Sequence, residues 1–385
     1  MTFPLPPGQS PRAWQVEALD AARAALLDFD SVIVSAATGT GKGSLIAAIA
    51  VLAARNGRRV LLLAHRDELI DDLVARVRRV QNPPAVGVVK ASRNEWLNPV
   101  VVASVQSLTK KRRAQMGVID LVLTDEAHHA TAPTYGHVYE AAREKGAAQG
   151  VAFKHIGFTA TPFRSTSDGG TSGLGKVFQA VVYEYGIAEA IDAGDLVPLR
   201  SLAVETEVCL DGVKVSRDGD FDEADLSRSV DTRARNELVV DKYLEHVGGK
   251  PALVFCASIE HSQHMAEVFV ARGIRAEAVW GVMPAAARRR LVREFREHPE
   301  KLPVLCSKDL IFEGFDAPAT RAVLKARPTR SRVVFCQMIG RGLRLHPGKS
   351  ECLFIDFVDN GVDLDLATIA DLTEQADEVR GNPLD

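Results

Sequence analysis

Leu121-Val122-Leu123-Thr124-Asp125-Glu126-Ala127-His128 runs from an apolar segment directly into two adjacent carboxylates. The apolar residues read as a buried strand, and an acidic pair at its end falls at the carboxyl edge of a sheet, where α/β proteins bind ligands. A second apolar run, Ser31 to Ala36, leads into Thr38-Gly39-Thr40-Gly41-Lys42. A glycine-rich turn between strand and helix offers backbone N–H groups and a helix dipole to phosphate oxygens, and Lys42 neutralises their charge. Asp125 then suits a magnesium ion, through water, while Glu126 suits orientation of an attacking water and His128 a γ-phosphate contact. Far downstream, Gln337-Met338-Ile339-Gly340-Arg341-Gly342-Leu343-Arg344 supplies two arginines spaced to reach the same phosphate. The candidate catalytic residues are therefore Lys42, Asp125, Glu126, Arg341 and Arg344, with Asp125 as the metal ligand.

One position departs from the phosphate-loop pattern. A Ser or Thr normally follows the lysine and gives a hydroxyl to magnesium, but this chain has Gly43. Ser44 comes one residue late, and a helical step of about 100° turns it away from the metal. Water is expected to fill the vacant coordination position, raising the magnesium requirement, and Gly43→Thr is expected to lower it.

Outward from these motifs, strands are expected at Val60 to Ala64, Val100 to Ala103 and His155 to Thr159, with helices at Gly43 to Arg55 and Asp67 to Val80. The alternation restarts at Ala252 to Ala257, Ala276 to Trp280, Pro303 to Ser307, Ala322 to Ala326 and Cys352 to Phe357. This is an α/β chain with two tandem doubly wound parallel sheets. The boundary is placed near Leu199, giving domains 1–198 and 199–385, after a short helix over Ile187 to Gly194. Ser165 to Gly173 reads as a mobile loop beside the site, Asp211 to Asp220 as a turn or hairpin, and the acidic tail after Asn360 as one helix from Leu366 to Val379.

Composition sets bounds on function. The 385 residues are 46% hydrophobic and 25% charged with net charge −3, so a globular two-domain chain is expected and no global basic field draws it to nucleic acid. No apolar run approaches the roughly 20 residues of a membrane span, and Met1 to Pro7 lacks the regions of a signal peptide, which points to a cytoplasmic protein. Cys209, Cys256, Cys306, Cys336 and Cys352 are scattered with no C-x-x-C pair, arguing against zinc knuckles and disulfides.

The set of motifs resembles a superfamily 2 helicase or translocase core of the DEAH-box kind, over nearly the whole chain. Pro11-Arg12-Ala13-Trp14-Gln15 is similar to the adenine-reading glutamine motif, Ala64-His65-Arg66-Asp67-Glu68-Leu69 and Ser104-Val105-Gln106-Ser107 to strand-contacting motifs, and Thr159-Ala160-Thr161-Pro162 to the element coupling hydrolysis to domain movement. Val254 to Ser258 resembles the fourth motif, Lys308 to Asp316 the fifth and Gln337 to Arg344 the sixth. Ala64 to Leu69, the run ending at Pro318, Ile355-Asp356-Phe357 and Phe221 to Leu226 look most like the bacterial RadD-type group, relatives of the XPB-type DNA-repair helicases. The cysteine-rich zinc region common there is absent, so the chain reads as a minimal homologue or a truncated core.

The resemblance implies two RecA-like domains with ATP and magnesium in the cleft between them. The nucleotide-binding set becomes Arg12, Gln15, Thr38, Gly39, Thr40, Gly41, Lys42, Gly43, Ser44, His128, Gly314, Asp316 and Gln337. It also implies nucleic-acid contacts from Arg66, Gln106, Ser258 and Lys308, although Lys308 stands where a small hydroxyl residue is common. Main-chain amides and such polar groups suit phosphates better than base edges, so binding independent of sequence is expected. Arg288-Arg289-Arg290, Arg293 and Arg296 read as a groove or, the preferred reading, as the solvated face of a helix. The expected function is ATP-dependent movement on single-stranded or forked DNA in repair or recombination. Its rivals are an RNA remodeller and a nucleotide-gated clamp whose hydrolysis Gly43 has weakened.

Overall fold

The computed structural model describes residues 3–160, 173–216, 219–308 and 315–360, apart from the side chain of Glu68. The expected tail helix, the loop at 165–172, Thr161 and Pro162 of the coupling motif, and Gly314 lie outside the described residues.

Two compact units divide the chain, the first running to Gly186 and the second beginning at Ile187. The first is built on β1 (Ser31–Ala36), β2 (Val60–Ala64), β3 (Val86–Lys90), β4 (Arg93–Asn94), β5 (Val100–Ser104), β6 (Leu121–Thr124), β7 (Lys154–Thr159) and β8 (Ala180–Tyr185). Their spatial order is β4-β3-β5-β2-β6-β7-β1-β8, parallel throughout except for the β3–β4 pair. Between the strands run α1 (Ala13–Asp28), α2 (Lys42–Arg55), α3 (Asp67–Arg79), α4 (Lys110–Gln115) and α5 (Pro133–Ala147). The strands β1, β2 and β5 are buried at every residue, as expected of a parallel sheet covered on both faces by its crossover helices. Each fully buried Val, Leu or Ile contributes roughly 1.5–3 kcal/mol of apolar transfer.

The second unit carries β9 (Leu199–Cys209), β10 (Ala252–Phe255), β11 (Ala276–Val279), β12 (Val304–Ser307), β13 (Ala322–Lys325) and β14 (Cys352–Asn360). They form one parallel sheet in the order β11-β12-β10-β13-β14-β9. Its helices are α6 (Ile187–Asp192), α7 (Glu223–Val230), α8 (Arg233–His246), α9 (Ile259–Ala271), α10 (Ala285–Glu297) and α11 (Arg332–Gly342). The short helix α6, placed ahead of the boundary by the sequence, packs with this unit.

Charge is buried here in pairs. Arg235 donates to Asp359 through Nε at 2.9 Å and Nη2 at 2.8 Å and to the Ala326 carbonyl at 2.6 Å, while Lys325 pairs with Asp356 at 2.8 Å. Burial pushes the Asp356 carboxyl up, and Lys325 opposes that push. Asp220, from the stretch read as a turn, accepts from Arg327 and the Thr329 hydroxyl at 2.8 Å and from the Arg330 amide at 2.9 Å.

Candidate active site

The order β6-β7-β1 places three loops side by side at the carboxyl edge of the first sheet. They are the glycine-rich turn after β1, the acidic box after β6, and Thr159-Ala160 at the end of β7. The turn is held at its start: the Ala37 amide donates to the Tyr185 carbonyl of β8 at 2.8 Å, and the Thr40 hydroxyl donates to the Ala37 carbonyl at 2.7 Å. Gly39 and Gly41 stand at φ +94° and +98°, a region costly for any residue with a Cβ, which is why glycine occurs at both. Lys42 then opens α2. Its ammonium is buried with no hydrogen-bond partner among the described residues and faces Glu126 Oε1 at 3.7 Å, too long for a hydrogen bond. An ammonium in that position, at a helix N-terminus beside a glycine turn, fits the oxygens of a polyphosphate.

The acidic box leaves β6 through a hydrogen bond from the Asp125 amide to the Leu63 carbonyl at 3.0 Å. Glu126 sits in the left-handed region at φ +48°, ψ +57°, which costs about 1 kcal/mol or more for a side chain of this kind. The Asp125 carboxylate helps hold it by accepting from the Glu126 amide at 3.0 Å. The turn Ala127–His129 then drops onto β7 at Gly157, where an added Cβ would lie 2.8 Å from the Ala127 Cβ and 2.5 Å from the Phe178 ring. His128, buried, brings Nδ1 to 3.4 Å from both Glu126 Oε2 and the Thr159 hydroxyl, so the acidic box and the coupling motif share one imidazole.

Arg12 and Gln15 brace the loop. Gln15 Nε2 donates to the Gly41 carbonyl at 3.1 Å, its Oε1 accepts from the Arg12 amide at 3.0 Å, and Arg12 Nη1 donates to the Thr40 carbonyl at 2.7 Å. A glutamine amide has a second N–H and a second lone pair, so this bracing is compatible with contact to a base. Around Gly43 the structure adds a residue the sequence did not single out. Arg76 of α3 crosses the glycine, and a Cβ there would meet its Nε at 2.9 Å. Asp72 accepts from that Nε at 2.6 Å, and the Ser44 hydroxyl lies 3.3 Å from Arg76 Nη1. Ser44 is thus turned toward α3, and a side chain at position 43 would first have to displace the Arg76 guanidinium. The only trace of this in the sequence was Gly43 itself.

In the second unit, Arg341 is buried on α11 and donates to the Phe315 carbonyl at 2.9 Å, while Arg344 pairs with Asp316. Gln337 is buried on the same helix. Among the nucleic-acid candidates, Ser258 is buried as the cap of α9, accepting from the His261 amide at 3.0 Å and the Ser227 hydroxyl at 2.8 Å. Lys308 pairs with Glu223 of α7 at 2.5 Å. Gln106 is exposed on the turn after β5, where it accepts from Ser104 at 2.9 Å, and Arg66 is half-buried just ahead of α3.

Two family descriptions match this arrangement, "Type III restriction enzyme, res subunit" over residues 9–164 and "Helicase conserved C-terminal domain" over residues 235–346. The chain belongs to the superfamily 2 helicases. A 51.5 kDa protein of a Lactococcus phage (isolate 7-9) is 30% identical to this helicase core over 332 residues, 85% of the chain and 66% of the phage protein. The putative ATP-dependent helicase IRC3 of Saccharomyces cerevisiae is 30% identical over 361 residues, 90% of the chain. The chain spans 51% of that yeast protein's length. A solved fragment of a putative HsdR subunit of a type I restriction enzyme from Vibrio vulnificus YJ016 superposes with a TM-score of 0.67 at 21% identity, covering 94% of this chain and 69% of the fragment. That likeness fixes the fold as two RecA-like parallel-sheet domains. No described helix of the helicase core is long and apolar enough to cross a membrane.

Proposed function

We propose that the chain is a nucleic-acid-dependent ATPase that uses hydrolysis to move on DNA, acting on single-stranded or forked DNA in repair or recombination. The observation carrying this reading is the buried Lys42 ammonium, without a hydrogen-bond partner among the described residues and 3.7 Å from Glu126 at the mouth of a glycine turn. Glu126 balances the charge, but a buried ammonium whose N–H groups find no acceptor is costly until a ligand supplies oxygens. In the proposed reaction Lys42 and the turn amides bind the β- and γ-phosphates, Glu126 accepts a proton from the attacking water, and Asp125 holds magnesium. Bound magnesium supplies neutralisation of the phosphate charge. His128 carries the phosphate's state to Thr159 by rearranging its contacts to Glu126 and Thr159.

Arg341 and Arg344 are proposed to serve turnover and not resting affinity, because each is now committed to a partner in its own unit. Arg341→Ala is then expected to leave nucleotide affinity within a few-fold while cutting turnover by about 10³ or more, the scale of an arginine finger. Within the superfamily we favour the DEAH-box, RadD-type group, on the motif runs at Ala64–Leu69 and Ile355–Phe357. Gly43 favours a second reading, a nucleotide-gated clamp with weak turnover. Steady-state ATPase across single-stranded DNA, duplex, fork and RNA tests both. Stimulation by single-stranded or forked DNA supports the motor, stimulation by RNA alone transfers the activity to RNA, and nucleotide-dependent DNA binding without turnover selects the clamp.

A further inference from the structure

We infer that Arg76 is a nucleotide-phosphate contact that takes over the place left by the missing hydroxyl at position 43. The inference rests on the reading of the Lys42 turn as a nucleotide site, and it deepens that reading. In the usual loop, the side chain after the lysine reaches the metal from the first turn of the helix. Here no side chain leaves that position, and the space it would enter is taken by Arg76, whose Nε, Cδ and Cζ lie 2.9, 3.2 and 3.3 Å from the position of an added Cβ. The placement is held from two sides, by Asp72 at 2.6 Å and Ser44 at 3.3 Å, so it is more than an exposed arm resting on a helix. Arg76 also keeps about a third of its side chain exposed, which leaves donors of its five N–H groups for an incoming oxyanion.

A guanidinium and a metal-ligating hydroxyl do different work. The hydroxyl acts through magnesium, whereas the guanidinium donates charge-assisted hydrogen bonds to phosphate oxygens directly. The site should therefore retain nucleotide when magnesium is withdrawn, more than a site relying on a Ser or Thr in this place. Gly43 and Arg76 then form one unit, the glycine being the condition for the arginine. Ser44, turned to the guanidinium, orients it as Asp72 does.

The test is binding of a fluorescent ADP analogue carrying a methylanthraniloyl group, titrated against the full chain in EDTA and in excess magnesium. Arg76→Gln is expected to weaken binding in EDTA by roughly tenfold, the scale of one charge-assisted hydrogen bond, and to weaken it less in magnesium. Arg76→Lys keeps a cation and is expected to recover part of the EDTA binding. Gly43→Thr combined with Arg76→Gln is expected to bind weakly in EDTA and regain affinity with magnesium, because the ordinary hydroxyl has been restored. Parent-like binding by Arg76→Gln in EDTA, with an unchanged melting temperature, overturns the inference. So does an equal loss with and without magnesium, since that marks a structural role. Lys42→Ala separates the two levels of the claim: if it still binds the analogue as the parent does, the nucleotide site itself is misassigned.

Discussion

Glu126 holds the least comfortable backbone in the candidate site, at φ +48°, and two of its neighbours face its carboxylate, Lys42 at 3.7 Å and His128 at 3.4 Å. A group placed to take a proton from water is lost when its carboxylate becomes an amide, while its size and backbone demands stay the same. Glu126→Gln is therefore expected to bind nucleotide within a few-fold of the parent and to lose turnover by about 10²–10⁴. Parallel nucleotide-binding and ATPase titrations check this, and unchanged turnover would move the base elsewhere. At this scale the candidate residues can be placed from sequence, but their supports cannot. Lys42, Asp125, Glu126 and His128 were legible because spacing and an adjoining apolar run fix where they fall. Arg76 was not, because its role arises from α3 crossing α2, a contact between residues distant in sequence that no local pattern records. The bracing of the Gly41 and Thr40 carbonyls by Gln15 and Arg12 was hidden for the same reason.

The elements behind the site explain why it keeps its shape. β7 carries Gly157 directly beneath the acidic turn, so Gly157→Ala sets a methyl against the Phe178 ring and Ala127. The expected cost is about 1–3 kcal/mol of overpacking, read as a lower urea midpoint together with reduced ATPase, since the turn that moves carries His128. Retained stability and activity together would mean the turn yields freely. Two residues earlier in β7, His155 is wholly buried against Thr124 of β6 at 2.9 Å. Burial, helped by the nearby charge of Arg143, drives its pKa from 6.5 down to about 3. Below pH 6.5 the unfolded chain gains a proton that the folded chain refuses, so stability falls with pH from 6.5 toward 3, by up to about 1.4 kcal/mol per unit. In the second unit His261, buried and held down to about 4, adds a slope of the same sign between 6.5 and 4. Unfolding free energies measured from pH 7 to pH 4 should show this slope, and His155→Gln should flatten part of it. A slope unchanged by that variant would assign the acid sensitivity to other groups. The central strands were readable because both faces are buried and the residues are uniformly apolar. β8 and β9 were not, since β8 is mostly half-buried and β9 alternates buried with exposed residues, so neither forms a continuous apolar run.

For the molecule as a whole, the sequence yielded two tandem parallel sheets because the alternation of strand and helix restarts after the first unit. What it could not yield is the second unit's buried network, in which Arg235 and Asp359 meet across 124 residues of chain. In the proposed function, the Lys42 turn and the acidic box together hydrolyse ATP and nucleic acid governs the rate. The most direct measurement is steady-state phosphate release by the full chain with ATP and magnesium, with and without single-stranded DNA, beside Glu126→Gln. Release is expected to rise when single-stranded DNA is added and to disappear in the variant. Release that ignores nucleic acid, or that persists in Glu126→Gln, would contradict the proposed function.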